Sequence, residues 1–472
     1  MRNLRLLVFV LLLIGTGVVF AQDETQERTV GALYGEHSGY TLSTPNGNPF
    51  VFLLNDQGEV VHQWFTEERN DDVILLEDGS ILVNQPRLTV PEFDFGADIT
   101  WLQGVGSVGK YNWDGELVWR WELGREGYRL HHGLELMPNG NLLLIAFEYR
   151  TTEEAIQAGR NPETLGDGLW SEVFMELDTE TLEIVWEWVL WDHLIQDFDE
   201  TKDNFGVVED NPQLVDINYW EPQNPVIEDW VHVNSLDFNP ELNQIAVSAR
   251  EFNEIWVIPY TETSEEAATE AGNLLYRWGN PRAYGQGTEA DQELFFQHDV
   301  QWIPEGYPGA GNMLAYSNRN LDETLEEGEF SRVIEITTPL NEDGTYELSE
   351  DGVYGPFELT WFYEGNPRTE LYSRITSGAQ RLLNGNTLIT EGFQGRLLEV
   401  TSEGEIVWEY IIPYSGAEII PQGGNARALT FRARRFEADF PAFEGRDLTP
   451  LYTVESLAEV EPEAEATEDA GE

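Results

Sequence analysis

One pattern recurs along this chain and limits what it can become: an apolar strand, a tight turn, then a strand centred on tryptophan. The copies are FVFLLNDQGEVVHQWF (50–65), GKYNWDGELVWRW (109–121), VFMELDTETLEIVWEW (173–188), EIWVIPYT with LLYRW (254–278), RVIEITTP with FELTWFY (332–363) and RLLEVTSEGEIVWEY (396–410). Alternating apolar residues about an Asn-Asp, Asp-Gly or Glu-Gly turn mark a β-hairpin. A second hairpin lies between them, in VILLEDGSILVN (73–84), HGLELMPNGNLLLIAF (132–147), HVNSLDFNPELNQIAVSAR (232–250), HDVQWIPEGYPGAGNMLAYSN (298–318) and SGAQRLLNGNTLIT (377–390). One inner and one outer hairpin make a four-stranded sheet, and radial repetition of such sheets leaves only short edges exposed. Six outer hairpins balance five inner ones if the last sheet joins both ends of the chain, with NARALTFRARR (425–435) pairing against GYTLSTP (39–45). The expected fold is all-β: a six-bladed β-propeller over residues 38–450, closed by its N- and C-terminal strands.

The ends stand apart from this repeat. Residues 1–21 carry Arg2 and Arg5, then an apolar run ending in Val19-Phe20-Ala21, which reads as a secretory signal peptide; an uncleaved anchor is the alternative. A short lead (22–37) follows, and the protein is expected outside the cytoplasm, periplasmic or extracellular. The stretch EVEPEAEATEDAGE (459–472) is acidic and free of aromatics, so it cannot bury enough apolar surface to offset its ordering entropy. Residues 451–472 are therefore expected to form a disordered tail. Between the ends, 16 Trp, 18 Tyr and 23 Phe supply a large core.

Charge and cysteine usage exclude several functions. The chain has 87 acidic and 26 basic residues, a formal net charge of −61, and a surface of that sign repels nucleic acid. It has no cysteine, hence no disulfide, thiolate ligand or cysteine nucleophile. Lysine occurs only at 110 and 202, which leaves cationic chemistry to arginine. The longest segment without a strand pattern, 192–229, holds Phe198, Phe205, Tyr219 and Trp220 and reads as an ordered loop over one face.

Aligning the inner hairpins on their turns places Asp71, His132, His232, His298 and Ser377 at the start of the innermost strands. Three of the 7 histidines thus occupy one repeated position, where strand ends surround a central channel. His131 lies on the other side of its strand by the period of two. Asn234 shares a face with His232, and Arg250 at the far end of that hairpin can return alongside it. An arginine suits bidentate contact with a small oxyanion.

The segments DWVHVNSLDFNPELNQIAVSARE, FFQHDVQWIPEG and SGAQRLLNGNTLITEGFQGRLLEVTSEGEIVWEY resemble the arylsulfate sulfotransferase family, over about residues 40–435. The resemblance implies an exported propeller enzyme that moves a sulfuryl group from an aryl sulfate to a phenol, by a ping-pong route without nucleotide or metal cofactor. It implies His298 as the nucleophile that becomes sulfated, with His132 and His232 in support. It also implies Asn234 as the companion amide and Arg250 as a sulfate-binding and catalytic arginine; His131, beside His132, is counted with them as a substrate-binding candidate. The family usually reads His-His-Asp where this chain has His131-His132-Gly133, which puts the role of His132 in question. The extra N-terminal sandwich domain of its best-known enzymes has no counterpart in the residues before the first blade, and the oligomeric state stays open. Asp299 either fixes the His298 tautomer or caps its strand. Two other readings use the same residues: a His-ligated metal centre, to which Arg250 and Asn234 are ill suited, and a non-catalytic exported binding module.

Overall fold

A computed structural model describes residues 39–452, apart from 47, 86–105, 221–227, 323, 326–327, 413, 416–417 and 420–428. The expected leader, the lead and residues 453–472 lie outside the described residues. Six four-stranded antiparallel sheets are present, each numbered here from its innermost strand outward. Blade 1 is Asp72–Leu75, Ile81–Gln85, Ser107–Tyr111 and Leu117–Glu122; blade 2 is Tyr128–Leu136, Leu142–Thr151, Gly168–Asp178 and Glu183–Val189. Blade 3 is Val233–Asn239, Gln244–Ala249, Glu254–Pro259 and Tyr276–Trp278; blade 4 is His298–Trp302, Met313–Leu321, Glu329–Ile336 and Trp361–Glu364. Blade 5 is Gly378–Arg381, Thr387–Glu391, Arg396–Val400 and Ile406–Ile411.

Blade 6 closes the ring as the sequence suggests. Its inner strand, Thr430–Phe436, comes from the C-terminal side, and its other three (Tyr40–Pro45, Phe50–Leu54, Val60–Phe65) come from the N-terminal side. The joint pairs Tyr40 with Phe436, Leu42 with Arg434 and Pro45 with Thr430. Leu451 still donates its N–H to Val60 O at 2.8 Å, and the Tyr452 hydroxyl reaches Gln63.

The tryptophans of the repeat have a specific task. From the outer strands, Trp64, Trp188, Trp278, Trp361 and Trp408 donate their indole N–H to a backbone carbonyl of the next blade or its loops: Asn112, Gly272, Pro356, Ser402 and Asp56. A large apolar ring with one polar handle suits a seam that is apolar inside and wet at its rim. Six apolar clusters fill the spaces between consecutive blades, for example Trp302, Met313 and Ile334 of blade 4 against Ile255 and Val257 of blade 3. Packing between blades, with no disulfide, holds the ring.

The long segment before blade 3 is ordered over its described part. A short parallel ladder joins Leu194–Ile195 to Val215–Asp216, and Tyr219 packs on the core while Phe198 and Phe205 face solvent. Its last described residues bring the Asp229 carboxylate to His232. No helix among the described residues is long and apolar enough to cross a membrane.

Candidate active site

Each histidine-bearing inner strand is bulged. The ladder slips between Leu130 and Leu134 in blade 2, Val233 and Leu236 in blade 3, and His298 and Gln301 in blade 4. Positive φ angles mark the same places: +52° at His132, +53° at His232 and +56° at Asp299. Side-chain-bearing residues adopt this left-handed region only when their surroundings hold them there, and bulges re-aim side chains. His132 therefore lies inside its strand rather than at the start, and the alternation that would send His131 to the opposite face is broken. His131 Nδ1 sits 2.7 Å from His132 Nδ1.

The bulges bring the histidines together. His132 Nε2 and His232 Nε2 are 3.2 Å apart. Burial first, then His232, His131, His298 and Arg250, drive the His132 pKa well down. His298 is nearly buried, and burial followed by the Arg250 guanidinium pushes its pKa well below the usual imidazole value, against a hydrogen bond to Asn318.

The tautomer of His298 is set by its surroundings. Its Nδ1 faces two oxygens, Phe296 O at 3.2 Å and Asn318 Oδ1 at 2.7 Å. The Asn318 amide is oriented by its own Nδ2, which donates to Ser373 O and Thr376 O. Both oxygens accept, so Nδ1 carries the proton and Nε2 keeps a lone pair. Thr376 N–H points at that lone pair from 3.2 Å. Neither Asn318 nor Thr376 was reached from the sequence, because neither repeats with the hairpins.

Arg250 begins a short 3₁₀ turn, and its backbone N–H returns to His232 O at 3.3 Å. Its guanidinium pairs with Glu251 and lies over the Phe296 ring, 4.9 Å from the centroid. Burial lowers its pKa to about 10, with Asp229 opposing and Arg319 and Arg374 reinforcing the shift. Arg319 covers the same ring at 4.8 Å. Arg374 is exposed two residues before Thr376, with no carboxylate of the described residues within ion-pair distance.

Two expected substrate contacts face protein groups. Asn234 is fully buried and donates to Gln297 O at 2.8 Å, steadying the segment that bears His298. Both ring nitrogens of His131 are engaged, by His132 and by Glu172 Oε2 at 3.1 Å, and its ring stacks on Phe147 at 3.6 Å.

Asp299 neither sets the His298 tautomer nor caps its own strand. Its carboxylate turns inward to Arg434 (2.8 and 3.0 Å), Arg432 (2.7 Å) and the N–H of Ala379 in blade 5. Burial alone would raise its pKa, yet Arg434 and Arg432 outweigh burial and hold it below the usual carboxylate value. Arg432 also reaches Asp72 Oδ2 at 3.2 Å, and that oxygen accepts the Leu134 N–H. This network explains Gly133. A Cβ there would lie 2.6 Å from Arg432 Nη2 and 3.4 Å from Asp72 Oδ2. Gly133→Asp is thus expected to lower stability by about 1–3 kcal/mol through overpacking and to leave activity no higher. Thermal unfolding beside a donor assay checks both.

Among the described residues, no group of three His, Asp or Glu is arranged to hold a metal ion. The site offers instead an unprotonated nitrogen, a cluster of arginines and a line of imidazoles.

Comparison with known proteins agrees with the early resemblance. Residues 26–414 match the arylsulfotransferase (ASST) family. No curated protein matches the chain. Among solved structures, a Bacteroides caccae protein of unknown function is 11% identical at a TM-score of 0.46, covering 85% of this chain and 99% of that one. A streptogramin B lyase is 11% identical at 0.38, covering 86% and 94%, and the Staphylococcus aureus virginiamycin B lyase is 11% identical at 0.34, covering 82% and 86%. Likenesses this distant carry no argument about activity. The family match spans most of the chain, propeller and histidine site together, and the protein belongs to the arylsulfotransferase family.

Proposed function

We propose that the protein transfers a sulfuryl group from an aryl sulfate to a phenol, in two steps through a sulfated His298. The observation that carries this reading is the directed tautomer of His298, which leaves its Nε2 as an acceptor with the Arg250 charge close enough to lower its pKa. In the first step Nε2 attacks sulfur, the N–S bond forms and the bond to the phenolic oxygen breaks. A neutral imidazole held below its usual pKa stays nucleophilic at neutral and mildly acidic pH. In this reading Arg250 neutralises charge on the non-bridging oxygens, and the Thr376 N–H, released from Nε2, donates to one of them. His132 or His232 protonates the departing phenolate and later takes the proton from the acceptor. The N-terminal apolar segment fits an exported enzyme.

The test is nitrophenolate release from 4-nitrophenyl sulfate with and without phenol. Phenol-dependent release supports transfer, and no release with any of several phenols removes the reading.

Charge makes a second expectation. A protein of charge −61 repels an anionic donor at long range, while Arg250, Arg319 and the exposed Arg374 attract it at short range. The Debye length falls from ~30 Å at 0.01 M salt to ~8 Å at 0.15 M, so salt screens the distant repulsion before the local attraction. kcat/KM for the donor is expected to rise across that interval, and a steady fall would contradict this balance of forces.

A further inference from the structure

The geometry points to a proton relay that runs from the buried carboxyl of Glu172, through His131, to His132 Nε2. It rests on the sulfuryl-transfer reading above and supplies the proton which that reaction needs. Five groups stand in an unbroken line. Glu172 Oε2 lies 3.1 Å from His131 Nε2, His131 Nδ1 lies 2.7 Å from His132 Nδ1, and His132 Nε2 lies 3.2 Å from His232 Nε2. His232 Nδ1 then bonds to Asp229 Oδ2.

Counting protons defines the proposed arrangement. The line has four contacts, and each needs one proton between its two atoms. The relay takes all three imidazoles as neutral; they then supply one each, and the fourth belongs to a terminal carboxyl. The Glu172 side chain is 0% exposed and that of Asp229 is 14% exposed. The more deeply buried group bears the neutral form, so the proton rests on Glu172. Filling the line from that end places the remaining protons on His131 Nδ1, His132 Nε2 and His232 Nδ1. The electrostatics agree: burial drives the pKa values of His131 and His132 down and that of Glu172 up.

The step then balances without forming an imidazolium in the line. As the sulfur–oxygen bond breaks, the phenolate oxygen takes the proton of His132 Nε2. His132 Nδ1 takes the proton of His131 Nδ1, and His131 Nε2 takes that of Glu172. The products are a neutral phenol, three neutral imidazoles and a Glu172 carboxylate. That carboxylate is supported by the Val233 N–H, 2.8 Å from Oε1, and by the new His131 Nε2–H. The acceptor phenol runs the same shifts backwards. Glu172 therefore lacks one proton for as long as His298 holds the sulfuryl group.

The test is Glu172→Gln, which keeps the side-chain volume and an oxygen for Val233 but cannot release a proton. The readout is kcat/KM for two donors, which in a ping-pong scheme reports the first half-reaction alone. Phenyl sulfate, whose phenolate is a poor leaving group, is expected to lose on the order of 10²-fold. With 4-nitrophenyl sulfate, whose phenolate departs without protonation, the loss is expected to stay under about tenfold on the same grounds. An equal loss for both donors, or no loss for either, overturns the relay, since a merely structural role does not sort donors by leaving group. Should Glu172→Gln fail to fold, His131→Gln breaks the line at its middle and must give the same sorting. A wild-type protein that transfers to no phenol removes the reading beneath the relay, a result distinct from either outcome.

Discussion

Replacing His298 with alanine is expected to abolish phenol-dependent release of nitrophenolate, a loss on the order of 10⁴–10⁶-fold, as removal of a covalent nucleophile does elsewhere. The size follows from the absence of a substitute. His132 and His232 have their Nε2 atoms committed to each other, and His131 has both nitrogens engaged. His298 differs in having its Nδ1 directed by two acceptors, Phe296 O and Asn318 Oδ1, while its Nε2 accepts only the Thr376 N–H from 3.2 Å, a contact that gives way when Nε2 attacks. Unfolding is not the expected cause, because His298 contributes no ion pair and its removal leaves the blade 3–blade 4 apolar seam intact. Circular dichroism and thermal unfolding of the variant, matched to wild type, separate the two effects.

The second large effect concerns stability. Asp299→Ala is expected to cost about 2–4 kcal/mol, because it leaves the charge of Arg434, whose side chain is 24% exposed, without its carboxylate. Arg432 would keep Asp72, but Asp299 is the only acceptor that Arg434 has among the described residues. The same change frees the Ala379 N–H and so loosens blade 4 from blade 5. The double variant Asp299→Ala/Arg434→Leu is expected to recover part of the loss, since removing both partners of a largely desolvated pair costs less than removing one. Thermal midpoints of the two variants, measured side by side, check this. A double variant no more stable than the single one would mean that the cost lies in the Ala379 bond or in packing.

Much of the ring was legible in the sequence because its signals repeat. The Asp-Gly and Asn-Gly turns fix the hairpins, and the leftover strand at each end forces the closure seen between Tyr40–Pro45 and Thr430–Phe436. The convergence of His132, His232 and His298 was legible for the same reason. Their partners were not. Asp229 reaches His232 from the non-repeating loop, Glu172 reaches His131 from a third strand, and Asn318 and Thr376 reach His298 from a neighbouring strand and another blade. The two-residue alternation also failed where it mattered, at His131, because the bulge turns the backbone at His132 into the left-handed region. Gly133, read as a missing carboxylate, is instead the space that Arg432 needs.

The central claim is that the sulfuryl group passes through His298. The most direct measurement is the peptide mass spectrum of protein treated with 4-nitrophenyl sulfate in the absence of acceptor, quenched at alkaline pH, where N-sulfated imidazole survives. The account requires one added sulfuryl group on the peptide containing His298, lost when phenol is added. An unmodified His298 in a protein that still catalyses phenol-dependent release, or a sulfuryl group on another residue that phenol removes, would contradict it.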